Sequence, residues 1–244
     1  LRDLAPILMV WAIAILIMAV SNDFGPALLL FATVLGMVYF ATGRASWLAI
    51  GFALVAVGGY AVYQVSSKIQ DRVANFIDPF ADFEGTGNQP ANALMGLSWG
   101  GITGTGLGYG HPELVPVAHS DYILAALGEE LGFVGIAAVL CLFGVFITRG
   151  FRTAMQVRDS YGKLLASGLA LTIAIQIFVV AGGVSAMLPM TGLTTPFMSA
   201  GGSSVMANYI LLGLLLRISN SANRPVDYDA VAAGTAKPEV VGTR

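Results

Sequence analysis

Six apolar segments, separated by polar connections, dominate the hydrophobic pattern of this chain. They cover residues 4–20, 24–42, 46–66, 122–148, 163–187 and 197–218. A helix of about 20 apolar residues crosses the ~30 Å hydrocarbon core of a bilayer, so each segment is predicted to span a membrane. The pattern therefore predicts an all-α fold: a polytopic integral membrane helical bundle with six transmembrane helices.

One long polar stretch, residues 67–120, interrupts this pattern between the third and fourth segments. Backbone groups exposed to lipid find no water to bond, so this stretch is expected to form a large loop outside the membrane. The last residues, 220–244, are rich in Ala, Gly, Pro and Val and have no helical period. We therefore predict a transmembrane domain over residues 1–219 and a disordered cytoplasmic tail over residues 220–244.

Composition supports an integral membrane protein and excludes some other classes. Hydrophobic residues make up 56% of the chain and charged residues only 11%, against roughly a quarter charged in a soluble domain. The net charge of −2 offers no basic surface for nucleic acid. The single cysteine, Cys141, excludes a disulfide framework and a cysteine metal site. Because the first residue is Leu1, we expect the chain to begin partway through a longer protein.

The distribution of positive charge predicts the orientation. If residue 1 is cytoplasmic, the connections on that side carry ten Lys and Arg residues, whereas the other side carries only Lys68 and Arg72. Arg149, Arg152 and two more cations share one short connection. Because cytoplasmic loops are enriched in Lys and Arg, the loop 67–120 is predicted to be extracytoplasmic.

The long loop contains motifs that imitate well-known sites. The glycine-rich run 100–110 lacks the Lys-Ser/Thr of a phosphate loop and no strand precedes it, which leaves a tightly turned loop or a backbone that approaches a ligand closely. His119, Ser120 and Asp121 are adjacent, so they cannot align as a hydrolase triad. His111 and His119 lack zinc spacing. An oxygen-rich site for Mg²⁺ or Mn²⁺, completed by substrate phosphates, is favoured over a histidine site.

Three carboxylates mark the start of the fourth segment. Asp121 opens it, and Glu129 and Glu130 follow about 12 and 13.5 Å further along a helix. Carboxylates are costly in a membrane and are therefore functional candidates. The alternatives are a helix cap for Asp121 and hydrogen bonds to neighbouring helices or loop amides for the glutamates. Prolines and glycines in 188–204 predict broken or re-entrant backbone beside a cavity.

Several of these segments together resemble the SEDS family (shape, elongation, division and sporulation), the FtsW/RodA group. They are NDFGPAL (22–28), Gln89 followed by GGITGTGLG (100–108), HSDYIL (119–124), GEELG (128–132) and LPMTGLTTPFMSAGGSS (188–204). The last segment looks like that of actinobacterial RodA-type members. Family members have ten spans, so the resemblance implies that this chain supplies the fifth to the tenth.

The resemblance implies a peptidoglycan glycosyltransferase of the bacterial cytoplasmic membrane that serves elongation and cell shape, or division. Its substrate is lipid II, a disaccharide-pentapeptide on a polyprenyl pyrophosphate. The essential aspartate of the family motif falls on Asp121, and a carboxylate suits the role of general base. The pyrophosphate leaving group needs neutralisation by a cation or an arginine. Candidate substrate-binding residues are Arg72, Lys68, Gln89, His119, Ser120, Glu129, Glu130, Ser203 and Ser204, and Asp121 is also a possible ligand of Mg²⁺ or Mn²⁺.

Such enzymes work with a class B penicillin-binding protein, a transpeptidase, so that partner is also expected. Two other functions stay open. A lipid II flippase predicts polar groups across the full membrane depth, whereas the fourth segment is apolar from Leu131 to Ile147. A non-catalytic scaffold predicts that Asp121→Ala is tolerated.

Overall fold

A computed structural model describes residues 23–223, and within them the fold is all-helical, as the hydrophobic pattern predicts. The elements are α1 (Phe24–Thr42), α2 (Ser46–Val65), α3 (Ser67–Ile77), α4 (Asn88–Gly100), a 3₁₀ turn (Pro112–Leu114), α5 (Ile123–Gln156), α6 (Ser160–Val184) and α7 (Gly202–Ala222). In this range, α1, α2, α5, α6 and α7 are long and apolar enough to cross a membrane. The predicted first span, 4–20, lies outside the described residues.

Several helix boundaries differ from the prediction. Helix α5 ends at Gln156 rather than 148, so Arg149 and Arg152 belong to the helix and not to the connection after it. Helix α6 begins at Ser160 because the Asp159 carboxylate accepts a hydrogen bond from the Gly162 amide at 2.7 Å and caps it. Helix α7 begins at Gly202 rather than 197, since Phe197 has a φ of 62° that no α-helix allows. It continues to Ala222, beyond the predicted end of the span at 218. Residues 224–244, which make up most of the predicted tail, lie outside the described range.

The long polar stretch is more ordered than a simple loop. It contains α3 and α4, of 11 and 13 residues, which are too short to cross a bilayer. Ile69, Val73 and Ile77 lie on one side of α3, at the spacing of a helix face, and its charged residues lie on the other. The hydrophobic pattern does not predict these helices, because they are shorter and more polar than a membrane span.

The spanning helices pack around three apolar clusters stacked along the bundle. The first contains Leu124, Val180 and Val184, where α5 begins and α6 ends. We call this the cavity end, because a cavity lies there. A middle cluster joins α5, α6 and α7, and a third lies near the α5–α6 turn at 157–159, which we call the turn end. The aromatic rings of Phe40 and Phe151 also meet near the turn end, with centroids 6.2 Å apart. The helices therefore form one antiparallel bundle with distinct ends.

A break in α5 was not predicted. Gly132 has φ 67° and ψ −170°, a conformation open essentially to glycine alone, which interrupts the helical hydrogen bonds. The glycine-rich loop replaces them: the Phe133 and Val134 amides donate to the carbonyls of Gly101 and Ile102 at 2.9 and 3.1 Å. In return, the amides of Thr105 and Gly106 donate to the carbonyls of Glu129 and Glu130 at 3.0 and 2.9 Å. The run 100–110 is thus a tightly turned loop joined to α5.

The segment 185–201, between α6 and α7, contains only turns and extended backbone. This confirms the broken backbone predicted for 188–204, although the last residues of that range already belong to α7. Such backbone is tolerated at membrane depth only where protein or a watery cavity covers it. The segment covers the cavity end of the bundle and contributes to the wall of a cavity there.

Candidate active site

A cavity of about 240 Å³ lies at the cavity end of the bundle. Its lining includes polar side chains, Lys68, Asp71, Arg72, Asn75, Thr86, Gln89 and Asp121, and apolar ones, among them Phe76, Leu94, Val184, Leu188 and Met190. A cavity that offers both kinds of side chain suits a ligand with polar and apolar parts.

Asp121 enters the cavity from a position just before the start of α5. Helix α5 has Tyr122 at its N-cap position and no side chain caps it, so the helix-cap alternative for Asp121 is wrong. One carboxylate oxygen, Oδ1, accepts a hydrogen bond from the Ser120 hydroxyl at 2.7 Å. Asp121 is partly exposed and lines the cavity, where its carboxylate can meet a ligand.

Arg72 and Asp121 approach each other across Gly192. The Arg72 guanidinium donates from Nη1 to the Thr191 carbonyl at 2.9 Å, which fixes it beside the segment 185–201. A Cβ added at Gly192 would lie 2.9 Å from Arg72 Nη2 and 3.4 Å from Asp121 Oδ2. The absence of a side chain at Gly192 therefore leaves the space in which a cation and a carboxylate face the same point.

Tyr122 lines the cavity next to Asp121 but cannot serve as a base. It precedes the span that begins at Ile123. Burial, and then the neighbouring charge of Asp121, raises the pKa of Tyr122 to about 12. Its hydroxyl therefore stays protonated at neutral pH, which leaves it as a hydrogen-bond donor.

Other predicted residues divide into those that line the cavity and those that do not. Lys68 and Gln89 line it, and the Gln89 amide donates to the Pro116 carbonyl at 2.6 Å. The His119 side chain is exposed, and Ser203 is exposed at the start of α7. The Ser204 hydroxyl lies 2.7 Å from that of Thr194, in a polar contact between α7 and the segment before it. The cavity thus brings together the predicted residues 68, 72, 89 and 121.

Glu129 and Glu130 hold the glycine-rich loop. Glu129 is only 2% exposed, and its Oε1 accepts from the His111 amide at 2.7 Å. Glu130 Oε1 accepts from the Gly108 amide at 3.1 Å. These are the loop-amide hydrogen bonds that the sequence left open as the structural alternative, and neither glutamate lines the cavity.

The His111 and Glu113 side chains form an exposed pair, with Nδ1 and Oε1 3.0 Å apart. A backbone hydrogen bond to the carboxylate, and then the His111 side chain, lower the pKa of Glu113. Because the pair is exposed and does not line the cavity, it has no evident part in the chemistry there.

Asp71 and Asn75, two polar residues of α3 that line the cavity, are not among the predicted site residues. Together with Lys68 and Arg72 they have the i, i+3, i+4, i+7 spacing of one helix face. The signal was therefore present in the sequence, but it becomes visible only once residues 67–77 are treated as a helix.

The cavity offers oxygen ligands but no complete metal site. Among residues 23–223, no three His, Cys, Asp or Glu side chains are grouped to hold a metal ion. Asp71 and Asp121 both line the cavity, and Mg²⁺ is commonly held by one or two carboxylates plus substrate phosphates. The donor set fits an ion that arrives with a phosphate-bearing substrate, so Mg²⁺ or Mn²⁺ stays a prediction.

Comparisons with known proteins agree with the family resemblance. The family of cell cycle proteins that comprises FtsW, RodA and SpoVE matches residues 1–224. The chain is 52% identical over 225 residues to the peptidoglycan glycosyltransferase RodA of Mycobacterium tuberculosis, covering 92% of this chain and 48% of that protein. It is 34% identical over 218 residues to the probable peptidoglycan glycosyltransferase FtsW of a Geobacter species, covering 88% and 59%. The chain thus spans about half the length of the curated relatives it matches.

A solved structure, reported as "Structural coordination of polymerization and crosslinking by a peptidoglycan synthase complex", also matches, with a TM-score of 0.73 and 27% identity. The match covers 91% of this chain and 63% of that one. With five helices of transmembrane character among the described residues and a family match along nearly its whole length, this multi-pass membrane protein belongs to the FtsW/RodA/SpoVE family.

Proposed function

We propose that the protein carrying this chain is a peptidoglycan glycosyltransferase that polymerises lipid II into glycan strands at the outer face of the bacterial cytoplasmic membrane. The observation that carries the proposal is that Arg72 and Asp121 both lie beside Gly192, in a cavity lined by polar and apolar side chains. Lipid II likewise combines polar and apolar parts, because its sugars and pyrophosphate are polar and its polyprenyl chain is apolar.

In the proposed reaction, Asp121 is the general base. A sugar hydroxyl of one substrate attacks the anomeric carbon of the other, the carboxylate takes the hydroxyl proton, and a new glycosidic bond forms. The bond from the anomeric carbon to the pyrophosphate oxygen breaks, and the polyprenyl pyrophosphate leaves with the electron pair. No protonating acid is needed, since the pyrophosphate is already a good leaving group.

Charge on the leaving pyrophosphate is met by cations on α3. Arg72 is held by the Thr191 carbonyl through Nη1, which leaves further N–H donors of its guanidinium for phosphate oxygens. Lys68 lies one turn earlier on the same helix and also lines the cavity. Mg²⁺ or Mn²⁺ would be held by Asp121 and the substrate phosphates, and would supply additional charge neutralisation.

An extracytoplasmic site and a transpeptidase partner complete the proposal. The cavity lies at the end of the bundle opposite the turn end, where Arg149 and Arg152 in the last turns of α5, Arg158 in the turn and Lys163 at the start of α6 lie; the positive-inside rule assigns such a cationic end to the cytoplasm. A class B penicillin-binding protein is proposed as partner, because the matching solved structure is named for a complex that coordinates polymerisation and crosslinking.

The alternative of a lipid II flippase has less support. The polar residues of the cavity come from α3, from the start of α4 and the loop before it, and from the chain just before α5, all at the cavity end. The part of α5 beyond the break contributes Phe143 to an apolar cluster with Ile173 and Leu211. A path for a pyrophosphate through the bundle would have to cross this apolar layer.

The proposal is tested by the substitution Asp121→Asn in the natural protein that carries this sequence, expressed at full length with its transpeptidase partner. Asparagine keeps the size and removes the base, so we expect glycan chains from lipid II to fall below about 1% of the wild-type yield. Folding and partner binding are checked by size-exclusion chromatography. Normal glycan chain formation by the folded variant would contradict the role of Asp121 as the base and would favour lipid II transport or a scaffolding function.

A further inference from the structure

The segment 185–201 makes contacts on both sides of Gly192. On one side, the Thr191 carbonyl accepts a hydrogen bond from Arg72 Nη1 at 2.9 Å. On the other, the Ser199 hydroxyl donates to the Ser120 carbonyl at 2.5 Å, and the Ala200 amide donates to the His119 carbonyl at 2.8 Å. One stretch of backbone thus binds both the cation and the chain that carries Asp121.

Ser199 is the side chain that makes this connection. It is 2% exposed, and its Oγ accepts a hydrogen bond from the Thr195 amide at 2.7 Å while donating to Ser120. The hydroxyl therefore acts both as a hydrogen-bond donor and as an acceptor, which fixes its orientation. An alanine in its place would leave a buried amide and a carbonyl without these partners.

The bond to Ser120 acts on Asp121 through the peptide group. The Ser120 carbonyl belongs to the planar unit that also contains the Asp121 nitrogen, so holding this oxygen fixes the orientation of the bond that leads to the Asp121 Cα. Asp121 lies before the first residue of α5, and so the helix itself does not impose its backbone conformation. Ser199 supplies a constraint that the local structure lacks.

We propose that Ser199 is a positioning residue that sets Asp121 relative to Arg72. This inference rests on the proposed function, in which Asp121 is the base. In this role, Ser199 makes no contact with the substrate. A displaced Asp121 would still allow lipid II to bind, yet the carboxylate would sit away from the hydroxyl, and about 1 Å of misplacement can lower a rate ~100-fold.

The test compares Ser199→Ala with the wild type in the full-length natural protein and its partner, measuring kcat and KM for lipid II. Ser199→Ala is expected to lower kcat at least about tenfold while KM changes less than about threefold. The matched control is Ser167→Ala, whose hydroxyl donates to the Lys163 carbonyl within α6 near the turn end. It should keep wild-type kcat.

Wild type and Asp121→Asn are assayed alongside, which separates the two proposals. A wild type without activity, or an active Asp121→Asn, contradicts the proposed function. If both behave as expected, a wild-type kcat in Ser199→Ala, or a rise in KM alone, overturns the positioning role. If Ser199→Ala does not fold, the test uses Ser199→Thr, which retains the hydroxyl. A kcat within about threefold of the wild type supports the positioning role. A lower kcat in the folded Thr variant contradicts it.

Discussion

At the scale of single residues, Gly192 determines how closely the cation and the carboxylate of the site approach. Its φ is +75°, a value that favours glycine, and a Cβ at this position would lie 2.9 Å from Arg72 Nη2 and 3.4 Å from Asp121 Oδ2. Any side chain here would be strained and would also displace one of the two groups. The same residue therefore controls backbone conformation and charge geometry.

Gly192→Ala is expected to reduce lipid II polymerisation at least about tenfold, because the added Cβ displaces Arg72 or Asp121 from the common point. Glycan synthesis by the purified full-length protein measures the effect. The control is Gly43→Ala, which has a similar φ of +68° but no atom within 4 Å of the added Cβ. Equal activity of the two variants would show that the geometry at Gly192 is not required.

At the scale of elements, the break in α5 and the glycine-rich loop form one unit. Gly132 frees amides and carbonyls that the loop then bonds, and Glu129 and Glu130 add side-chain hydrogen bonds from the same turn of the helix. In a membrane protein an unpaired backbone group costs several kcal/mol, so the helix and the loop depend on each other. The glutamates have a structural role in this unit.

Gly132→Ala is expected to destabilise the protein strongly, by about 3 kcal/mol or more, because its Cβ would overlap the backbone of Gly104 and Ile102 at a positive φ. Thermal unfolding in detergent measures the change. Gly108→Ala is the matched control, since Gly108 has φ +75° in the same loop with no atom near the added Cβ. Its expected cost is about 1 kcal/mol. A Gly132 variant as stable as this control would contradict the coupling of helix and loop.

At the scale of the whole molecule, the two ends of the bundle differ in chemistry. The cavity end carries the polar side chains of the cavity and the segment 185–201, whereas the turn end carries Arg149, Arg152, Arg158 and Lys163. Between them, α2 has little protein around it: Phe52, Val57 and Tyr60 are 73, 71 and 68% exposed. An apolar helix with so much exposed surface fits a lipid environment or further protein.

The orientation can be tested by labelling single cysteines in a Cys141→Ala background. We expect Glu84→Cys, in the loop after α3, to react with a membrane-impermeant maleimide in intact spheroplasts, because the proposed orientation places the cavity end outside. Ser160→Cys, at the turn end, should react only after lysis. Both positions are exposed in the fold, so accessibility of the side chain does not limit the labelling. The reverse pattern would place the cavity in the cytoplasm.

The spanning helices were predictable because their signal is local. A run of apolar residues is sufficient to favour a membrane span, and the predicted 24–42 coincides with the observed Phe24–Thr42. The segments that carry the family resemblance could likewise be recognised without any contact information. Helix boundaries were less certain, since they depend on single events such as the Asp159 cap of α6.

By itself the sequence determined the all-helical membrane class, the position of the polar loop and the candidacy of Asp121. Only the tertiary structure decided which residues share the cavity, because Arg72, Asp121 and Gly192 are far apart in the chain and meet through packing. It also assigned Glu129 to the loop amides, a partnership that periodicity cannot show. Hydrophobicity is a property of each segment and can be read from the sequence. The geometry of a site depends on contacts between segments, and so only the tertiary structure shows it.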